Sequence, residues 1–166
     1  MAKKIILGCL LILTAAILQS TLFSRLSLYI HAVPDFALCI LVYSAYVNGF
    51  KTGHLTGFFS GLILDFFSAT PLGFNAFLRT LTGGIFGLLK DTFYLDIIFL
   101  PMALCAGATI FKALVFSLLH LLFPELVPTY LSSSPIFFIE LGMNTLSAPL
   151  LFGLLKLLKP LSKKLS

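Results

Sequence analysis

The sequence predicts an all-α polytopic membrane protein of six transmembrane helices, and three observations predict it. Hydrophobic residues make up 59% of the 166 and charged residues only 10%, against about 25% charged in an ordinary soluble domain. A soluble fold of this size could not cover its surface with so few charges, so lipid must serve as solvent for much of it. The apolar residues form continuous runs, not the period-two alternation of a membrane barrel. Most runs approach the roughly 20 residues that a helix needs to cross a hydrocarbon core about 30 Å thick. The length suits one integral membrane domain.

The first span covers residues 5–23 and follows Lys3 and Lys4. Its start imitates a secretory signal, with Ala15 and Ala16 as a mock cleavage site, but the apolar stretch continues to Phe23 and further spans follow. It reads as an uncleaved helix. Leu7-Gly8-Cys9 resembles a lipoprotein cleavage box, yet almost no apolar region precedes it. A loop with Arg25, His31 and Pro34 leads to the second span, residues 35–50, which Lys51 closes. The third, residues 53–68, is short and borrows a turn from its flanks; Ala69-Thr70-Pro71 ends it. The fourth covers residues 72–89 and stops at Lys90-Asp91. The fifth, residues 101–123, begins at Pro101, whose missing N–H is not needed in a first helical turn. A loop with Glu125, Pro128 and Ser132 to Ser134 precedes the sixth, residues 136–158, which runs into Lys159-Pro160.

Lysine placement orients the chain. With six spans, Lys3, Lys4, Lys51, Lys90, Lys156, Lys159, Lys163 and Lys164 fall on one side, and the other holds only Arg25. Positive charge stays cytoplasmic, so both termini are expected there. Five spans would scatter the lysines over both sides. Cys9, Cys39 and Cys105 each lie within an apolar run and read as small buried hydrophobes, with no disulfide or metal framework.

Gly49, Gly53, Gly57 and Gly61 recur every four residues, and Gly83 and Gly87 repeat the spacing on the fourth span. On a helix this makes a groove without side chains, where another backbone approaches closely. Such approach matters in lipid, where apolar burial gives helices no drive to associate. The groove serves packing within the fold or docks another membrane protein.

Charges in the bilayer are costly unless paired or hydrated. Asp65 lies near the outer end of the third span and Arg79 about 9 Å below the outer end of the fourth, at 1.5 Å per residue. The two spans form a hairpin, so Asp65 is expected to pair with Arg79 or to cap the following turn. Lys112, near the middle of the fifth span, is expected to snorkel outward toward Glu140 of the sixth. Gln19, Asn75 and Asn144 join them in the outer half. This polar cluster fixes helix register, forms a ligand pocket, or receives a partner's helix; the residues leave all three open.

No catalytic constellation emerges. His31, His54 and His120 are far apart and fall on both sides, which argues against a shared metal site. The serines lack a nearby histidine–carboxylate pair, and no glycine loop is followed by Lys-Ser or Lys-Thr. Neither an enzyme nor a nucleic-acid binder is expected.

Val33-Pro34-Asp35-Phe36, the block from Gly53-His54-Leu55-Thr56-Gly57 through Gly61 to Asp65, and Leu72-Gly73-Phe74-Asn75-Ala76 together resemble the rod shape-determining MreD family. Leu18-Gln19-Ser20, and Asn144 followed by Pro149 and lysines, also fit. The resemblance is most specific over residues 33–76; between Lys90 and Ser134 it rests on hydropathy. It implies a six-span protein of the bacterial inner membrane, without catalytic activity or cofactor, in the machinery that builds lateral peptidoglycan. It implies binding to the bitopic protein MreC, and linkage to MreB filaments and to the RodA synthase with its penicillin-binding partner. Self-association stays open. Pro34, Asp35, Gly57, Gly61, Asp65, Gly73 and Asn144 carry over as motif positions. The implied fold is similar to the substrate-binding subunits of energy-coupling-factor transporters, so the alternative reading is a vitamin-binding subunit of such a transporter. Short outer loops without Trp argue against that reading.

The local physics agrees with architectural roles. Pro34 is well placed just before a helix start, and Asp35 complements the positive end of the helix dipole.

Overall fold

The structure is a computed structural model that describes residues 1–22, 33–68, 71–92, 98–125, 127 and 134–157. Arg25, His31, Lys159, Lys163 and Lys164 lie outside the described residues. Among the described residues six helices follow one another: α1 (Ala2–Leu22), α2 (Phe36–Asn48), α3 (Phe50–Phe67), α4 (Phe74–Leu88), α5 (Phe99–Leu122) and α6 (Ser134–Leu157). No strand occurs among the described residues. Three helices are long and apolar enough to cross a membrane: Ala2–Leu22, Phe99–Leu122 and Pro135–Leu157. The other three fall short for physical reasons. α2 has 13 residues, about 20 Å at 1.5 Å per residue. The inward faces of α3 and α4 consist largely of Gly, Thr, Ser and charged residues, which lower their hydropathy.

α2 is the centre of the bundle and touches all five other helices. Every residue from Ala37 to Ala45 is buried, so the helix is enclosed on all sides, as its uniformly apolar sequence requires. Ile12 of α1, Phe86 of α4, Leu104 and Cys105 of α5, and Ala148 and Phe152 of α6 complete the core around it. Tyr43 stacks on Phe152 with ring centroids 5.0 Å apart.

The turn between α2 and α3 departs from the sequence reading. Gly49 does not continue the glycine groove of the third span. It is the link between two helices, at φ +88° and ψ 177°, a conformation open to glycine and closed to most residues with a Cβ. α3 therefore starts at Phe50, ahead of the expected boundary at Gly53.

α3 is amphipathic in the opposite sense to a soluble helix. Its buried residues are Thr52, Gly53, Thr56, Gly57, Ser60, Gly61 and Asp65. Its exposed ones include Phe50, Phe58, Phe59, Phe66 and Phe67. Large apolar groups outward and small or polar groups inward is the arrangement that lipid selects, because a chain packed against a chain then gains backbone proximity and hydrogen bonds.

The inward stripe meets α4 across a seam of backbone on backbone. A Cβ at Gly53 would strike the Gly83 carbonyl, one at Gly57 the Arg79 carbonyl, and one at Gly61 the Asn75 carbonyl and Ala76. The reciprocal positions behave alike: a Cβ at Gly83 would meet the Gly53 carbonyl, and one at Gly87 would meet the Phe50 backbone. Thr82 and Thr109, fully buried, return their hydroxyls to the carbonyls four residues back, Leu78 and Cys105. Their hydroxyl protons are thereby placed within their own helices.

Candidate functional site

The start of a helix leaves its first N–H groups without intrahelical acceptors. At the head of α2 these donors are partly buried, and three side chains satisfy them. Asp35 is the N-cap: its Oδ1 accepts from Leu38 N–H at 2.9 Å. Gln19 Oε1, near the end of α1, accepts from Phe36 N–H at 3.1 Å. Asn144 Oδ1, on α6, accepts from Asp35 N–H at 2.7 Å. The amide of Asn144 in turn donates to Thr109 Oγ1 on α5 at 3.0 Å. Four helices are thus tied together where α2 begins. Pro34 is buried just before the cap.

The Asp35 carboxylate also gathers two cations, the buried Arg79 and the half-buried Lys112. Lys112 Nζ donates to Asp35 Oδ2 at 3.0 Å and to Glu140 Oε1 at 2.7 Å. Arg79 Nη2 lies 3.4 Å from Asp35 Oδ1. Among the described residues, two cations and two carboxylates therefore form one chain of ion pairs across α4, α2, α5 and α6. Arg79 is 6% exposed and Glu140 6%. In so dry a place each charge needs its partner, since an unpaired buried ion is strongly destabilising.

Of the two roles expected for Asp65, the cap on the following turn forms and the pair with Arg79 does not. Asp65 caps α4. Its Oδ2 accepts from Gly73 N–H (3.0 Å) and Ala76 N–H (3.1 Å), and its Oδ1 from Asn75 N–H (2.9 Å). The reason is local. Gly73, at φ +95°, has no side chain with which to cap α4, and the end of α3 delivers a carboxylate to the exposed N–H groups, where the helix dipole also favours it. Asn75 Nδ2 reaches Ser68 Oγ at 3.3 Å. Arg79, one turn further along α4, is left to Asp35.

The structure thus joins Gln19, Asp35, Arg79, Lys112, Glu140 and Asn144 in one junction and places Asp65, Gly73 and Asn75 beside it as the α3–α4 cap. Gly53, Gly57, Gly61, Gly83 and Gly87 belong to the seam. The sequence reading makes Asp35 only a dipole partner and misses its place between the two cations. A signal is present: Lys112 stands alone in a long apolar run, and one lysine there calls for more than one acceptor. Thr109 also escapes that reading, because nothing separates it in sequence from other membrane threonines.

A cavity of about 650 Å³ opens onto this junction. Leu13, Ile17 and Ser20 of α1 and Leu64 and Phe67 of α3 line its sides, while Asp35, Arg79, Lys112 and Glu140 line the polar part. Among the described residues no group of three or more His, Cys, Asp or Glu could hold a metal ion.

The family model of the rod shape-determining protein MreD matches residues 2–158, nearly the whole chain. The chain belongs to the MreD family. No curated protein and no solved structure matches it. MreD is a family of shape-determining proteins, and the apolar helices agree with membrane residence. In this MreD chain the motif positions fall at two places: Pro34, Asp35 and Asn144 at the head of α2, and Gly57, Gly61, Asp65 and Gly73 along the α3–α4 hairpin and its cap.

Proposed function

We propose that the chain is a non-enzymatic, six-span component of the bacterial inner membrane that serves rod-shape determination by binding MreC. Through MreC it helps couple MreB filaments to the RodA synthase and its penicillin-binding partner during lateral peptidoglycan synthesis. The observation that carries this reading is the match to the MreD family over residues 2–158. An inverted amphipathic surface supports it, because an outward face of Phe and Leu is suited to lipid and to other membrane helices.

Six crossings with both termini cytoplasmic draw support from the contacts. Gln19 at the end of α1 bonds Phe36 at the start of α2, and Asp65 at the end of α3 bonds the start of α4. Lys90 lies at the opposite end: its Cδ is 3.2 Å from where a Cβ of Gly49, two residues before Lys51 in sequence, would stand. Basic residues at one end and the polar junction at the other is the asymmetry that the positive-inside rule requires.

The test is paired. An affinity-tagged chain is extracted in mild detergent and its single-span partner is sought by immunoblot for MreC, and cell shape is recorded after deletion. Coextraction of MreC and rounded cells are expected. Unaltered rods together with no coextracted MreC would remove the reading. A reporter fused after Leu157 is expected to read as cytoplasmic.

A further inference from the structure

α1 and α3 run in the same direction and touch in their first halves. A Cβ at Gly8 would stand 2.9 Å from Thr56 Cγ2, and Cys9 Sγ donates to the Thr56 carbonyl at 3.8 Å. Beyond that contact the two helices part. The cavity of about 650 Å³ lies in the cleft, between Leu13, Ala16 and Ile17 of α1 and Leu64 and Phe67 of α3. The buried residues of α1 are Gly8, Cys9 and Ile12, all ahead of the cleft, so the second half of this helix leans on the bundle without being enclosed by it. Ile17 and Phe67 are 62% and 80% exposed. These two walls therefore belong also to the outward apolar surface. In a bilayer that surface meets hydrocarbon, and the mouth of the cleft opens sideways into lipid.

Dimensions select the occupant. From Leu13 to Ser20 the cleft follows α1 for about 10 Å at 1.5 Å per residue. A partner's spanning helix needs the full hydrocarbon core of roughly 30 Å, and the contact of Gly8 with Thr56 closes the cleft below. One leaflet is about half that core, so the cleft fits a chain that enters from one leaflet and ends near the bilayer centre. The order of polarity agrees. Ser20 and Ser68 line the cleft at the outer ends of α1 and α3, and Leu13, Ala16 and Leu64 line it deeper. The ions of the inner wall have side chains 7 to 13% exposed, so an occupant meets chiefly the apolar flanks. We propose that the cleft between α1 and α3 binds a glycerophospholipid of the outer leaflet, with one acyl chain along Leu13, Ile17 and Leu64 and its ester region beside Ser20 and Ser68. The inference rests on the proposed membrane orientation and is independent of MreC binding.

The test titrates the full chain, in dodecyl maltoside micelles, with a phosphatidylcholine that carries a diazirine midway along one acyl chain. After photolysis, labelled peptides are quantified by mass spectrometry. Leu146 and Leu150 of α6, 75% and 66% exposed, report loosely held lipid. Label on the α1 peptide with Leu13 and Ile17, and on the α3 peptide with Leu64, is expected to saturate and at low lipid to exceed the α6 label by about tenfold, the equivalent of about 1.4 kcal/mol. Ala16→Phe fills the cleft and should remove that excess. Because this variant could fail to fold, Ser20→Phe gives a second arm: it narrows the mouth from the exposed side of α1, where the hydroxyl donates to the Ile17 carbonyl of its own helix. It should keep the wild-type melting temperature and lose the excess. Label on α1 and α3 that rises in proportion to lipid, as on α6, would overturn the proposal. So would an undiminished excess in a folded Ser20→Phe, or an excess that vanishes when the chain is copurified with MreC, which would give the cleft to the partner's helix. Micelles have no leaflets, so failure here is distinct from failure of the orientation, which the reporter after Leu157 tests.

Discussion

The seam between α3 and α4 is backbone laid against backbone, whereas the junction at the head of α2 is made of side chains sent from α1, α4, α5 and α6. The seam joins neighbours in the chain, with Asp65 bonding residues 8 to 11 positions away. The junction joins Asp35 to Lys112 and Asn144 across 77 and 109 positions. The seam contains no charge along its glycine positions, where close approach stabilises it. The junction holds four charges and is stable only as a complete set. The contrast teaches that one bundle can use two kinds of helix adhesion in lipid: dispersion between bare backbones, and hydrogen bonds confined to a single polar node.

The largest effect should come from breaking the node. Lys112→Met leaves Asp35 and Glu140 facing each other without their shared cation, a loss of about 3–5 kcal/mol by the precedent of broken buried pairs. SDS-titrated unfolding from mixed micelles measures it. Adding Glu140→Gln should recover part of the loss by removing one stranded charge. If Lys112→Met unfolded no more easily than wild type, the node would be a hydrated surface feature and the contrast with the seam would fail.

The seam should respond next. Gly57→Val forces a Cβ into the Arg79 carbonyl and its peptide, with an expected loss of about 1–3 kcal/mol from overpacking. Gly142 on α6, where an added Cβ would meet nothing within 4 Å, gives the control: Gly142→Ala should fall within about 0.5 kcal/mol of wild type. Equal effects at the two glycines would mean that the seam is not tight.

How much of this is legible in the sequence follows the same division. The hairpin of α3 and α4 is legible because four-residue glycine spacing and a short turn are local patterns, and helix geometry converts them directly into a face. Gly49 is the exception: spacing alone cannot tell a glycine on a groove from one that ends a helix. The pairing of Lys112 with Glu140 is legible, since the long stem of a mid-span lysine can snorkel outward to a carboxylate nearer the outer end of the adjacent span. The destination of Arg79 is not. Depth allows both Asp65 and Asp35, and the choice turns on whether Asp65 is already occupied by the N–H groups of α4, which depends on the conformation of Gly73.

That competition yields a smaller effect. Asp65→Asn keeps an oxygen for the α4 cap and loses the charge, so the expected loss is about 1–2 kcal/mol, the difference between charge-assisted and neutral hydrogen bonds. Because Asp65 makes no ion pair with Arg79, the loss should add to that of Arg79→Gln without coupling. A double-mutant cycle checks this. A coupling well above about 0.5 kcal/mol would restore the Asp65–Arg79 pairing that the geometry rejects.

The smallest effect isolates the neutral part of the node. Gln19→Leu removes the acceptor of Phe36 N–H and leaves the other two bonds at the head of α2 in place. Side-chain hydrogen bonds within membrane bundles average about 0.6 kcal/mol, and Leu keeps most of the packing volume, so a loss near that value is expected in the same unfolding titration. The size matters for the comparison. If Gln19→Leu cost as much as Lys112→Met, the capping of α2 and not the charge balance would hold the node together, and the four ions would then be free to serve the cavity instead of the fold.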